Sequence, residues 1–492
     1  MLVPQALAYA QLAGMPAYRG LYAAALPPIA AALFASSPYL QTGPVALTSL
    51  LTFGALAGLA TPGSHEYVGL GALLALVVGV VRLAIGALRA GIVAYLVSQP
   101  MLIGFIPAAA LVVVAAQIPA ALGEAGGSGR ILRSAVTSLS HPHAWRGAAV
   151  ALAAVALVLV LAGRLVRRLF PSVLLVVVLG IVYGRAAGYT GPIVGPVRTA
   201  VAAPSFHLPW SQLPQLIVPG VVIALVGFIE PSSIARSFAA IERRRWDANP
   251  EFVAQGAGNL TSFVVGGFPI GGSFSRSALN RLAGARTTWS GMIAALAVVA
   301  FIPFASVLER LPRAVLAGIV IASVVGQIRL GPLVRLVRLS RPQFVVAAAT
   351  LVLTLVLAPH IERAVLAGGA LAIALHLYRE LQLEVTSWTD GDALHLRPHG
   401  VLWFATAPRL EEQFLELVSD HDRIARLVVH LDALGRIDMT AALALRTLLE
   451  RARRAGIETS VTDVRPRWRG LVANVIAADR DPLGSGNGRI RS

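Results

Sequence analysis

Fourteen apolar stretches follow one another between Met1 and about Tyr378, and no soluble architecture buries that many in series. A membrane-spanning helix needs roughly 20 mostly apolar residues. Ten stretches qualify directly: 19–35, 69–88, 101–122, 147–163, 170–187, 215–238, 289–306, 312–328, 343–358 and 362–378. Four more, 2–18, 40–60, 251–268 and 272–285, are interrupted by Gly, Pro or polar residues. Charge agrees with a bilayer setting. Only 13% of the residues are charged, about half the roughly 25% of a soluble chain. A soluble enzyme, a disordered chain and a fibrous protein are therefore excluded.

The sequence has no Lys, so its 41 basic residues are all Arg, set against 24 acidic ones. A net charge of +17 in a soluble protein would suggest nucleic acid. In a membrane chain it reads as topology, because cytoplasmic loops collect basic residues. With both ends cytoplasmic, the inner loops hold Arg82 and Arg89, Arg164, Arg167 and Arg168, Arg243 to Arg245, and Arg335, Arg338 and Arg341. Arg130, Arg133 and Arg146 run against the bias. The absence of Cys rules out disulfides, thiolate metal sites and a Cys nucleophile. No basic stretch of a signal peptide precedes the first apolar run. That run starts without a flanking charge, so the chain is expected either to lack the first half of its first helix or to open with a short helix from Leu2 to about Gly14.

The interrupted segments carry the functional signal. In SSPYLQTGPVALTSLLTF a polar stretch reaches Gly43-Pro44 before an apolar helix begins, with Pro44 suited to its first turn. In VVGGFPIGGSFSRSALNRLAGAR, four Gly and a Pro precede Ser273, and a helix to about Ala283 is too short to span. Interrupted segments at matching places in two halves, here about 1–190 and 210–380, point to a transporter site. Each half-helix leaves free N–H groups and a positive dipole end at mid-membrane, and two such ends facing each other favour an anion. Ser275 and Arg276 stand in the first turn of the second half-helix. An intramembrane guanidinium is costly and needs a negative partner, either an anion or a protein carboxylate. Glu230, deep in an apolar run, could neutralise Arg276, bind a coupling cation or carry a proton. Gln5 and Tyr9 share one helical face, turned inward or engaged in a structural hydrogen bond.

At these residues the chain resembles the SulP (sulfate permease) anion-transporter family, whose animal members include prestin and pendrin. The matching motifs are VPQALAYAQLAGMPAYRGLY, TGPVALTSLL, EPSSIARSFA and NPEFVAQGAGNLTSFVVGGFPIGGSFSRSALNRLAGARTTWSG. The resemblance implies fourteen segments in two inverted seven-segment repeats, forming a core and a gate. It also implies an anion site at Gln5, Tyr9, Val45, Phe274, Ser275 and Arg276, and cation coupling, Na⁺ or H⁺, at Glu230, with no other cofactor.

From about Leu383 regular charges return. Strands are expected at 392–402, 426–432 and IETSVTD, with helices at 408–418 and 438–455 closed by Gly456. Strands alternating with helices imply a small α/β sheet. Through IDMTAALAL this part resembles the STAS domain of sulfate transporters and anti-sigma factor antagonists. In the antagonists the position matching Thr440 is a phosphorylated hydroxyl, which makes Asp438 and Thr440 regulatory candidates; the simpler reading is helix capping. His395, His399, His421 and His430 have no metal-ligand spacing, and no metal is expected.

The expected organisation is a transport domain at 1–380, a STAS-like domain at 385–480 and a disordered tail at 481–492. The leading function is secondary transport of a small anion, with sulfate as the default and bicarbonate, chloride or dicarboxylate as alternatives. A STAS-based membrane regulator and, further off, a nucleobase permease are the competing readings. No enzymatic constellation is present. The expected setting is the bacterial inner membrane, as a homodimer with a cytoplasmic C-terminal domain open to a regulator, and no nucleic acid.

Overall fold

The computed structural model describes residues 1–95, 98–124, 130–166, 170–197, 208–419 and 424–476. The expected tail, Arg167, Arg168 and His421 lie outside the described residues. Two units result, Met1–Ala372 and Ile373–Ser492.

In the first unit the order is α1 (Leu2–Leu12), α2 (Ala17–Phe34), β1 (Thr42–Gly43), α3 (Ala46–Leu56), α4 (His65–Ala87), α5 (Gln99–Leu122), α6 (Ile131–Ser140), α7 (Gly147–Val166) and α8 (Ser172–Ala186). Then follow α9 (Leu213–Ile241), α10 (Ala248–Val264), β2 (Gly271–Gly272), α11 (Phe274–Leu282), α12 (Trp289–Phe301), α13 (Arg313–Val324), α14 (Gly331–Leu339), α15 (Arg341–Val356) and α16 (Ile361–Glu380), whose last residues belong to the second unit. Among the described residues, six helical stretches are long and apolar enough to cross a membrane.

Packing sorts these helices into two bundles. One joins α1 to α4 with α9 to α12, chiefly through α4 on α10, α2 on α10, α4 on α9 and α2 on α12. The other joins α5, α7, α8, α13 and α15. Its contacts repeat with the halves exchanged, since α5 packs on α15 as α13 packs on α7. The same device brings each pair together. Gly104, sixth in α5, lies so close to Ala347 O, on the seventh residue of α15, that a Cβ would approach to 1.9 Å. Gly318, sixth in α13, lies against Ala153 O, on the seventh residue of α7, at a corresponding 2.5 Å. Small residues at such crossings let helices pack without side chains between them. Gly104→Ala and Gly318→Ala are each expected to cost about 1–3 kcal/mol by overpacking. Thermal unfolding in detergent, with Gly58→Ala as the unobstructed control, checks this.

Two expectations are corrected. Arg82, read as a loop charge, is inside α4 and fully buried. The Arg-bearing stretches at 123–146 and 329–342 are not simple loops. Each contains an amphipathic helix, α6 or α14, inserted after the fifth segment of its half. Arg335 and Arg338 alternate with Leu and Val at helical spacing, a pattern that charge counting alone overlooks.

The second unit contains β3 (Glu384–Asp390), β4 (Ala393–Leu402), α17 (Ala407–Ser419), β5 (Arg426–His430), β6 (Leu434–Ile437), α18 (Met439–Arg454) and β7 (Glu458–Thr462). Strands run in the order β3-β4-β5-β7, with β6 pairing β4. β3 is antiparallel to β4, whereas β4/β5, β5/β7 and β4/β6 are parallel. Leu394, Leu396, Leu427 and Val429 pack with Leu410, Phe414, Leu445 and Leu449 from the helices. β3 and β6 were not expected from the sequence, because β3 is mostly exposed and β6 has four residues.

Candidate functional site

β1 and β2 pair antiparallel, Thr42 with Gly272 and Gly43 with Gly271, and each strand leads into a half-helix. Backbone in a bilayer must be satisfied internally. Here Ser273 N–H donates to Gln41 O at 3.0 Å, and Gln41 N–H donates to Ser277 Oγ at 2.9 Å. Two amides four residues apart on α10 support the crossing. Gln255 Nε2 donates to Thr42 Oγ1 at 2.8 Å, while Asn259 accepts from Ile270 N–H and donates to Ile270 O. Sequence reading passed over both amides, although AQGAGN shows them at helical spacing in an apolar run. The crossing thus brings the N-termini of α3 and α11 together.

Val45 is the N-cap of α3 and is buried. Pro44 precedes the cap rather than occupying the first turn, and its carbonyl accepts from Arg276 Nη1 at 2.9 Å. Ser273 caps α11, its Oγ accepting from Arg276 N–H at 3.4 Å and lying 3.4 Å from Ser275 Oγ. Arg276 is 5% exposed. Its Nη1 also donates to Gln5 Oε1 at 3.3 Å, whereas Nε and Nη2 are buried without a partner among the described residues. Nη2 faces Gly43, where a Cβ would stand 3.4 Å away. Gln5 is buried and donates through Nε2 to Ser323 Oγ on α13 at 3.2 Å, a contact that sequence could not reveal across 318 residues. Tyr9 is buried one turn further along α1. Phe274 is 55% exposed at the start of α11.

Glu230 does not neutralise Arg276 by an ion pair. Its Oε1 accepts from Phe274 N–H at 3.1 Å, capping α11 from α9. Another buried carboxylate was unforeseen: Glu251 on α10 accepts through Oε2 from Ser36 N–H, Ser36 Oγ–H and Ser37 N–H. Two converging helix N-termini, a hydroxyl pair and an incompletely satisfied guanidinium make a place where negative charge is favoured.

In the second unit Asp438 caps α18. Its Oδ1 accepts from Ala441 N–H at 2.8 Å and Oδ2 accepts from Phe404 N–H at 3.1 Å. Thr440 is exposed in the first turn, and Gly456 follows α18 at φ 86°. The fold also gathers histidines that look scattered in sequence. His395 Nδ1 lies 2.9 Å from His430 Nε2, both rings stack with Trp388, and His430 Nδ1–H donates to Asp463 Oδ2 at 2.6 Å. Among the described residues, no cluster suited to a metal ion forms.

This hydrogen bond from His430 holds the Asp463 carboxyl below the ordinary aspartate range. A depressed folded-state pKa stabilises above the unfolded value of about 3.9 and loses that contribution as pH falls through the lower folded value. The carboxyl is 51% exposed, so the effect is small and screened. Asp463→Asn should lower the melting temperature near neutral pH, and the difference from the parent should narrow below about pH 4 in a pH-series of thermal scans.

Two half-helices meeting at a strand crossing, between halves that repeat one packing scheme, define the architecture of a secondary transporter. The sequence comparisons name the family. Residues 1–350 match the sulfate permease family and residues 385–483 match the STAS domain. A probable sulfate transporter of Mycobacterium tuberculosis is 31% identical over 94% of this chain and 87% of its own length. The chloroplastic sulfate transporter 4.1 of Arabidopsis thaliana is 27% identical over 94% of this chain and 73% of its own. The chain belongs to the sulfate permease family and carries a C-terminal STAS domain. In fold it is similar to murine solute carrier 26 family member A9, an anion transporter in the inward-facing state, at TM-score 0.88 and 20% identity, covering 97% of this chain and 85% of that one. It is also similar to the transmembrane domain of a cyanobacterial bicarbonate transporter, at TM-score 0.65 and 24% identity, covering 73% and 94%.

Proposed function

We propose that the chain is a secondary active transporter of a small anion, sulfate by default, with bicarbonate, chloride and dicarboxylates as the other candidates. One observation carries the proposal: Arg276 is buried at two converging helix N-termini with Nε and Nη2 unpartnered among the described residues. Gln5, Tyr9, Val45, Phe274 and Ser275 surround the bound anion, and Glu230 couples its movement to Na⁺ or H⁺. The relatives' names support sulfate as the first substrate to test. A nucleobase would leave the guanidinium charge unanswered, which disfavours a permease of that kind. The working form is a homodimer in the bacterial inner membrane, with the STAS domain cytoplasmic and Thr440 available to a regulator.

Uptake of labelled sulfate, bicarbonate, chloride and oxalate into liposomes, with and without Na⁺ and at two pH values, tests the reading. Uptake of none by the intact chain overturns it. Flux by the chain lacking residues 385–492 separates transport from a regulatory role centred on the STAS domain. Orientation is tested with a single introduced Cys, the chain having none of its own. Ser387→Cys is expected to resist an impermeant thiol reagent in intact cells and to react after permeabilisation.

A further inference from the structure

We infer that Arg82 is the electrostatic floor of the anion site, a fixed buried charge that adds binding energy in proportion to the charge of the anion. The inference rests on the transport reading above. Arg82 lies in α4 and is fully buried. Among the described residues its guanidinium donates only to backbone carbonyls: Nε to Ala224 O at 3.0 Å, Nη2 to Ile223 O at 3.3 Å, and Nη1 to Ile270 O at 3.0 Å. Ile270 immediately precedes β2, and Ile223 and Ala224 belong to α9, which also carries Glu230.

The guanidinium also lies close to the start of α3. A Cβ on Gly227 would meet Arg82 Nη2 at 2.7 Å and Thr48 Cγ2 at 3.0 Å. A Cβ on Gly271 of β2 would meet that same Thr48 methyl at 3.4 Å and Val45 Cγ2 at 3.3 Å. Arg82 therefore stands beneath the first turn of α3 and the strand that leads to Arg276. Among the described residues, no carboxylate forms an ion pair with it.

Hydrogen bonding does not account for a charge in this position. Ile270 O also accepts from Asn259 Nδ2 at 3.2 Å. Ile223 and Ala224 lie inside α9, where the N–H groups of Gly227 and Phe228 stand one turn on. Removing the guanidinium would leave no acceptor without a donor, while keeping it buries an uncompensated cation at considerable cost. The charge acts through the field it sets at the site. Arg82 acts at a distance and does not touch the anion.

Coulomb energy is linear in ligand charge, so the factor lost for a monovalent anion is squared for a divalent one. The test measures binding of sulfate and chloride to the reconstituted full chain. Arg82→Gln keeps N–H donors for the carbonyls and removes the charge; Arg82→Lys keeps the charge and loses the planar fork. Arg82→Gln is expected to weaken chloride on the order of tenfold and sulfate on the order of a hundredfold, with an unchanged or higher melting temperature. Arg82→Lys should hold both within about threefold. Equal losses for the two anions in Arg82→Gln, or Arg82→Lys as impaired as Arg82→Gln, would overturn the inference. Should Arg82→Gln fail to fold, Arg82→Met, which removes the charge and keeps an unbranched chain, takes its place: a larger loss for sulfate than for chloride supports the inference and equal or no losses overturn it. Arg276→Ala in the same assay separates the two levels. Loss there with none in Arg82→Gln sinks only this inference, whereas no loss in Arg276→Ala sinks the site itself.

Discussion

Arg276→Ala is expected to weaken binding of the transported anion by on the order of ten- to a hundredfold while leaving the membrane unit folded. The native guanidinium gives one nitrogen, Nη1, to Pro44 O and Gln5 Oε1 and keeps two buried without partners. A charge-assisted hydrogen bond contributes roughly 1.5–3 kcal/mol, and each 1.4 kcal/mol is about tenfold in affinity. The two helix N-termini remain in the variant and contribute about 0.3–2 kcal/mol each, so the site is weakened rather than erased. The crossing survives because β1 and β2 are held by backbone pairing and by Gln255 and Asn259, none of which needs the guanidinium. Glu230 is not orphaned either, since its Oε1 is occupied by Phe274 N–H. Arg276→Lys should fall between parent and Ala, because Lys keeps the charge but lacks the fork that reaches Pro44 O while aiming Nη2 at Gly43. Equilibrium binding in detergent, alongside a thermal scan, gives the answer. An Arg276→Ala chain that folds normally and binds every tested anion like the parent would put the site elsewhere.

Glu230→Gln is expected to abolish uptake driven by a Na⁺ or H⁺ gradient and to leave anion exchange in place. The isosteric amide keeps an oxygen for Phe274 N–H, so the cap on α11 persists and only the ionisable group is lost. The proposal of coupling at Glu230 rests on one carboxylate oxygen touching the backbone of the half-helix that carries Ser275 and Arg276. On that proposal, a change in its charge or occupancy acts within a turn of the anion. Counterflow and gradient-driven uptake in the same liposomes separate the two activities. Concentrative uptake equal to that of the parent would leave Glu230 as a cap for α11.

The half-helices illustrate how far local chemistry reaches. GGSFSR predicts a helix beginning after Ser273, and α11 begins at Phe274 with Ser273 as its cap, because a hydroxyl at that position satisfies an end N–H that no other residue of the helix can. Asp438 before α18 follows the same rule. In the STAS domain, apolar alternation located β4, β5 and β7, whereas the exposed β3 and the short β6 gave too little contrast between faces. Arg82 misled for the opposite reason. Charge patterning assumes that cations seek water, yet this one finds three carbonyls inside the protein.

Legible from the sequence were the bilayer setting, the places of the two broken helices, and Ser275 and Arg276 in the first turn of the second, whereas Pro44 lies before the cap of the first. These properties depend on hydropathy, on helix-end chemistry and on spacing along one strand of chain. Only the packed fold reveals that Thr42 pairs with Gly272, that Gln5 bridges Arg276 and Ser323, and that Glu230 caps α11 without a direct ion pair to Arg276. Each joins residues 44 to 318 positions apart, and a buried polar group takes whichever partner the packed backbone brings within about 3 Å. Sequence spacing carries no record of that choice.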